Sequence, residues 1–223
     1  MSDISFQNHY PSDKINQEKF EKWSNDTLKL KVTSISFSHF DTIPEKFKVF
    51  INVEKVTLQD VLTKDWRQGK IIHGLDMFPK LKTVVFWGSS IHLDPTAKWL
   101  KKVEVLHAEK TNIQGIKDFS EIPNLHVLYL AYSSFNEFPK NIESLKCLSE
   151  LTLGAYSFGN INLTDIDLSQ LPCLKKLDIV TWSNNMTGIP EGLETSNLQT
   201  VKIHHQKLTQ TEKDIIKKIN HKR

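Results

Sequence analysis

Leu125-His126-Val127-Leu128-Tyr129-Leu130 places apolar residues at its first, fourth and sixth positions, and this spacing decides the fold. After it come Phe135, Phe138-Pro139, Ile142 and Leu145, and the pattern restarts at Leu148 with Leu151 and Leu153. Working back, the same spacing gives Val103, Leu106 and Ala108; Leu81, Val84 and Phe86; Val53, Val56 and Leu58; and Val32, Ile35 and Phe37. Working forward, it gives Leu174, Leu177 and Ile179, then Leu198, Val201 and Ile203. The eight starts, at 32, 53, 81, 103, 125, 148, 174 and 198, are 21 to 28 residues apart. A strand and its return segment need about 20–29 residues, so each interval fits one turn of a repeat array.

Side chains alternate across a strand, so positions four and six face one way and position five the other. One repeat cannot bury its inward residues alone. Stacking the repeats joins those residues into a continuous core behind a row of parallel strands. At ~4.8 Å between strands, eight of them span an arc of about 35–40 Å. Ile43-Pro44, Phe78-Pro79, Ile122-Pro123, Phe138-Pro139 and Ile189-Pro190 suit the return path. There proline presets φ and pushes the preceding residue to an extended conformation.

The pattern resembles the leucine-rich-repeat family, whose unit runs L-x-x-L-x-L-x-x-N/C-x-L. The resemblance covers about residues 32–208. It implies an α/β solenoid with a curved parallel sheet on the concave side, an irregular or helical convex side and helical end caps. It also implies a protein that binds partners rather than an enzyme. The chain departs from the family at the Asn position, which reads Phe40, Val61, Ser89, Thr111, Ser133, Tyr156, Trp182 and Gln206. Hydroxyls can bond local backbone in place of the amide. A regular centre in repeats three to five, with less regular ends, is therefore expected. The long second repeat, carrying Trp66-Arg67-Gln68-Gly69-Lys70, should hold an insertion.

A solenoid exposes its core at both ends unless capped. Residues 1–31 are expected to form an N-terminal capping segment, residues 32–208 the repeats and residues 209–223 a C-terminal capping helix. In the first, Ile15, Phe20 and Trp23 share one face of a helix over 12–23, with Ser12 as its N-cap. In the last, Thr209-Gln210-Thr211-Glu212 leads into Ile215, Ile216 and Ile219. The basic residues Lys213, Lys217, Lys218, Lys222 and Arg223 read as a solvated face with cations near the helix C-terminus.

Composition narrows the function classes. The 29 basic and 26 acidic residues among 223 leave a net charge of +3, too little for a nucleic-acid footprint. No apolar run approaches the roughly 20 residues of a membrane span, and Met1–Phe6 shows no signal-peptide pattern, so a cytoplasmic protein is expected. A secreted adhesion or receptor fragment is the alternative, though no cysteine-rich cap is present. The sequons at Asn25, Asn162 and Asn185 read as chance matches.

No phosphate loop, H-E-x-x-H, C-x-x-C or nucleophile elbow is present, so no catalytic residue, metal or cofactor is assigned. His204 and His205 point to opposite faces of a strand and read as ordinary surface histidines. Cys147 and Cys173 each precede the first leucine of a repeat. Stacked in register, their Cα atoms would lie about 5 Å apart, within disulfide range. They are expected as reduced, largely buried thiols.

The concave face is set by positions three, five and seven. Position five reads Ser36, Thr57, Val85, His107, Tyr129, Thr152, Asp178 and Lys202. Val85, Trp87, Val105, His107, Val127 and Tyr129 form a central apolar and aromatic patch, edged by Glu109 and Tyr132. Solvent-facing strand positions in a monomer are mostly polar, so the patch is the candidate site for a protein or peptide partner. Cover by the N-terminal segment or by a second copy are the alternatives. The leading reading is an interaction scaffold. The second is a regulatory or inhibitory subunit that occludes the active site of an enzyme or toxin, and an enzyme centred near Trp66–Lys70 is the third.

Overall fold

The computed structural model describes residues 2–7, 14–40, 42–61, 68–135, 139–154, 161–180 and 186–221. Every repeat contributes one strand, and a further strand precedes them. The nine are β1 (Ser2–Gln7), β2 (Val32–Ser38), β3 (Lys55–Gln59), β4 (Thr83–Trp87), β5 (Val105–Glu109), β6 (Val127–Ala131), β7 (Glu150–Gly154), β8 (Lys176–Val180) and β9 (Thr200–His204). They form one parallel sheet whose order follows the chain. The architecture is a leucine-rich-repeat solenoid.

The register follows the repeat. Val56, Val84, Leu106, Leu128, Leu151, Leu177 and Val201 align from strand to strand, as do Leu58, Phe86, Ala108, Leu130, Leu153, Ile179 and Ile203. Both rows are buried, and so is the row that opens each repeat, from Val32 to Leu198. Because side chains alternate, burying positions four and six turns positions three, five and seven to the concave face. Behind the sheet, short 3-10 turns alternate with extended pieces. Lys70–Ile71, Ser90–His92, Asn112–Gln114 and Ser134–Phe135 build a second parallel sheet. Of the expected insertion, residues 62–67 lie outside the described residues, while Lys70 enters this second sheet. Beside it, a Cβ on Gly69 would sit 2.3 Å from the backbone of Ile91, so glycine is required for the close approach.

The N-terminal segment contains a strand besides the expected helix. It opens with β1, which pairs along β2 and buries Ile4 and Phe6. The two-residue alternation of Asp3-Ile4-Ser5-Phe6 is too short to read as a strand beside repeats of more than twenty residues. Helix α1 (Lys14–Trp23) then covers the core end. Its Phe20 ring packs edge-on against Phe47 at 5.2 Å and Phe50 at 5.9 Å, and Phe47 also meets Phe6 and Phe37. The proposed cap Ser12 lies outside the described residues. At the other end, α2 (Gln210–His221) buries Ile216 and Ile219. Its start is a reciprocal cap: the Glu212 N–H donates to Thr209 Oγ1 at 3.3 Å, and the Thr209 N–H donates to Glu212 Oε2 at 2.7 Å.

Two backbone devices turn the chain out of the sheet. The eighth residue of the first five repeats (His39, Asp60, Gly88, Lys110 and Tyr132) has φ between +50° and +64°. The N–H groups of the first four donate to the position-seven carbonyl of the next repeat, at 2.9–3.0 Å. One residue later stand the hydroxyls that occupy the family's Asn position. Ser89 Oγ donates to Trp87 O at 2.9 Å, Thr111 Oγ1 to Glu109 O at 2.9 Å and Ser133 Oγ to Ala131 O at 3.0 Å. Each also accepts from the preceding repeat: Val61 N–H to Ser89, Ser89 N–H to Thr111 and Thr111 N–H to Ser133, at 3.1, 3.4 and 3.1 Å. All three residues are buried. The hydroxyls thus form a ladder through repeats three to five. The equivalent Tyr156 and Trp182 lie outside the described residues.

Thr111→Val keeps the shape of the side chain but strands the buried Ser89 N–H, while Glu109 O keeps its bond from the Gly88 N–H. Urea denaturation should show a loss of about 1–3 kcal/mol, with Thr111→Ser retaining most of the stability. Equal losses in the two variants would mean that the methyl group, not the hydroxyl, is what matters.

Candidate functional site

The register brings the predicted residues together on three neighbouring strands. Val85 aligns with His107 and His107 with Tyr129; Val105 aligns with Val127; Trp87 aligns with Glu109. Tyr132 follows β6 in the turn. The face therefore carries Val85 and Trp87 from β4, Val105, His107 and Glu109 from β5, and Val127 and Tyr129 from β6.

Stacking distance and ring chemistry match here. In-register parallel strands hold equivalent side chains about 4.8 Å apart, close to the separation at which planar rings stack. The His107 and Tyr129 rings are 4.2 Å apart at 28°. Burial pushes the His107 pKa below the ordinary histidine value, opposed by the carboxylate of Glu109 and aided by the ammonium of Lys55. The imidazole is therefore neutral at pH 7 and stacks as an uncharged ring.

Trp87 is 39 % exposed, and the Lys110 ammonium lies 5.4 Å from its ring centroid. Such a contact at an exposed site contributes about 0.5–1 kcal/mol. Lys110 thus borders the candidate patch, although sequence reading did not place it there. Its position-eight, left-handed backbone swings the side chain back toward the preceding repeat, which strand alternation alone does not reveal. Tyr132, with φ +51°, holds the same backbone conformation and is 53 % exposed. A non-glycine residue there costs roughly 1–2 kcal/mol.

C-terminal to the patch the face changes character. Ala131 and Gly154 carry little or no side chain. Charged side chains of repeats six to eight pair across strands: Lys176 with Glu150 at 3.1 Å and Lys202 with Asp178 at 3.8 Å. These exposed pairs contribute little to stability, but they neutralise that half of the face.

Two other expectations are corrected. His204 is exposed, but His205 is not a surface histidine: it is 2 % exposed, with Nε2 2.8 Å from the Gly188 carbonyl oxygen. The chain leaves β9 there, so His205 turns inward to hold the return segment. Cys147 and Cys173 are free and exposed rather than buried, because the turn before each strand points them outward. Among the described residues, no group of three or more His, Cys, Asp or Glu is placed to hold a metal, and no helix is long and apolar enough to cross a membrane. A cleft of ≈ 410 Å³ lies between β9 and α2, lined by Ile203, Leu208, Ile216, Lys213 and Lys217, well away from the patch.

Comparison with known proteins supports the architecture. No protein-family profile and no curated protein matches the sequence. Among solved structures, the chain is similar to internalin C2 of Listeria monocytogenes, with a TM-score of 0.50 and 15% identity over 85% of this chain and 91% of that one. It is also similar to a leucine-rich-repeat protein of Leptospira interrogans, with a TM-score of 0.50 and 16% identity over 88% of this chain. The match spans 61% of the Leptospira chain. At these identities the likeness shows the shared fold.

Two measurements check the local physics. Tyr132→Gly removes a strained backbone and should raise stability by about 1 kcal/mol in urea unfolding; a loss would mean that the ring contributes packing to the fold. For His107 the folded pKa lies below the unfolded value, so the unfolded chain binds more protons and stability rises with pH. The contribution is full above about pH 6.5 and is lost as pH falls below that unfolded value toward the lowered folded one. Thermal midpoints between pH 8 and 5 should fall less in His107→Gln than in the unchanged chain.

Proposed function

We propose that this chain is a protein-interaction scaffold that seats a protein or peptide partner on the centre of its concave face, and that it is not an enzyme. The reading rests on one observation. Where a solvent-facing strand row calls for polar side chains, Val85, Trp87, Val105, Val127 and Tyr129 stand together, with exposed Tyr132 beside them. A contiguous apolar patch of this kind marks an interaction surface, and Trp and Tyr are the usual anchors of such surfaces. Tyr132 adds an exposed ring at the edge, carried by the left-handed turn that the first five repeats share.

Binding is favoured over catalysis by the shape of the site. Acid–base chemistry needs titratable groups converging on a substrate in a recess. His107 and Glu109 stand on an open curved sheet, and the neutral His107 is committed to a stack with Tyr129. Lys110 and Glu109 supply a polar rim that can fix a partner's orientation.

The full chain and a Trp87→Ala/Tyr129→Ala variant, used as matched baits, test the proposal. Partner capture should fall by at least tenfold in the variant while its melting transition stays nearly unchanged. Undiminished capture would overturn the site, and a large fall in melting temperature would mean that the rings belong to the core.

A further inference from the structure

The turn before each strand carries one residue in a fixed column: Lys31, Asn52, Lys80, Lys102, Asn124, Cys147, Cys173 and Asn197. In the early repeats this column bridges adjacent turns. Asn52 Nδ2 donates to Leu30 O at 2.9 Å, and Asn124 Nδ2 donates to Lys101 O at 2.6 Å. Lys80 Nζ donates directly to Asn52 Oδ1 at 2.7 Å, so side chains of this column in consecutive repeats reach one another. Only at Cys147 and Cys173 do two consecutive members share a chemistry that can join them covalently.

The local geometry of the two cysteines is matched. Leu148 N–H donates to Leu145 O at 2.9 Å, and Leu174 N–H donates to Leu171 O at 3.1 Å, so each cysteine is the third residue of the same tight turn. The following strands pair in register, Glu150 with Lys176 and Leu151 with Leu177, an offset of 26 residues that also relates Cys147 to Cys173. Lys175 N–H donates to Ser149 O at 2.9 Å and Lys146 Nζ donates to Gln170 O at 3.0 Å, holding the turns side by side. In-register stacking sets the Cα atoms about 4.8 Å apart, inside the roughly 4.4–6.8 Å that a disulfide spans. Stacked Cβ atoms must close by about 1 Å to reach the usual disulfide separation. Exposed turns can yield that much. Both thiols are free and open to solvent.

We infer that Cys147 and Cys173 form a dithiol site that low-molecular-weight disulfides oxidise to an intramolecular cross-link between the sixth and seventh repeats. One cysteine thiolate attacks the small disulfide, forming a mixed disulfide and expelling one small thiol. The second cysteine thiolate then attacks the protein sulfur of that mixed disulfide and expels the other small thiol. Two protein thiols are oxidised, one small disulfide is reduced to two thiols, and two protons leave the cysteines and are taken up by the released thiolates. The link joins turns that are already adjacent, so it constrains the unfolded chain more than it changes the folded one.

The test uses the full chain, fully reduced and then incubated with excess glutathione disulfide. Intact mass should show the loss of two hydrogens in a monomer, and digestion should release a Cys147–Cys173 linked peptide pair. The thermal midpoint of the oxidised chain should rise and return on reduction. Cys147→Ser and Cys173→Ser should each keep the circular dichroism of the parent and end as a stable single glutathione adduct. Two persistent glutathione adducts on the parent chain, cross-linked dimers only, or thiols that remain unreacted would overturn the proposal. None of these readouts depends on partner binding, so failure here leaves the concave patch unaffected.

Discussion

Everything in this molecule depends on one constraint: the buried residues of a single repeat have nowhere to hide except against the next repeat. Leu106 and Ala108, alone, would sit on a five-residue strand in water; placed between Val84 and Phe86 on one side and Leu128 and Leu130 on the other, they are fully buried. The same constraint explains both ends. Rings from Phe6, Phe20, Phe37, Phe47 and Phe50 close the first repeat, and Ile216 and Ile219 close the last. It also dictates the location of the candidate site. Once positions four and six are committed inward, alternation leaves His107, Tyr129 and Trp87 on the other face.

Most of this architecture is legible in the residues, because the signal is repeated. A single L-x-x-L-x-L run is weak, but eight with compatible spacing fix strand positions, register and facing together. The patch is legible for the same reason: period-two alternation assigns Trp87 and Tyr129 to a face without knowledge of the turns. What escapes is whatever the turns decide. Lys110 reaches Trp87 only because its backbone is left-handed. The outward direction of Cys147 and Cys173, and the inward direction of His205, follow from turn geometry, where strand alternation gives no guidance. β1 escapes because Ile4 and Phe6 offer only one cycle of alternation.

The replacement of the family's asparagine also has a physical logic. An asparagine amide both donates and accepts, and so can satisfy backbone groups on two turns. A serine or threonine hydroxyl does the same with a shorter reach, donating to its own repeat's carbonyl and accepting from the neighbour's N–H. Ser89, Thr111 and Ser133 succeed because three small hydroxyls follow one another; each depends on the turns being close. Where the position turns aliphatic, at Val61, the residue still gives its N–H to Ser89 but has nothing to offer the repeat before it.

That ladder has a direction. Every hydroxyl looks after a donor belonging to the turn on its N-terminal side, so the turns are served from the C-terminal side. Fraying that begins at the C-terminal side takes the hydroxyl partner from one N–H at each step and leaves that donor to water. Fraying that begins at the other end removes backbone acceptors instead, because the N–H groups of Ser90 and Asn112 donate back to Val61 O and Ser89 O. In the central repeats the hydroxyl ladder thus points one way along the coil and these backbone bonds the other, so each turn leans on both of its neighbours.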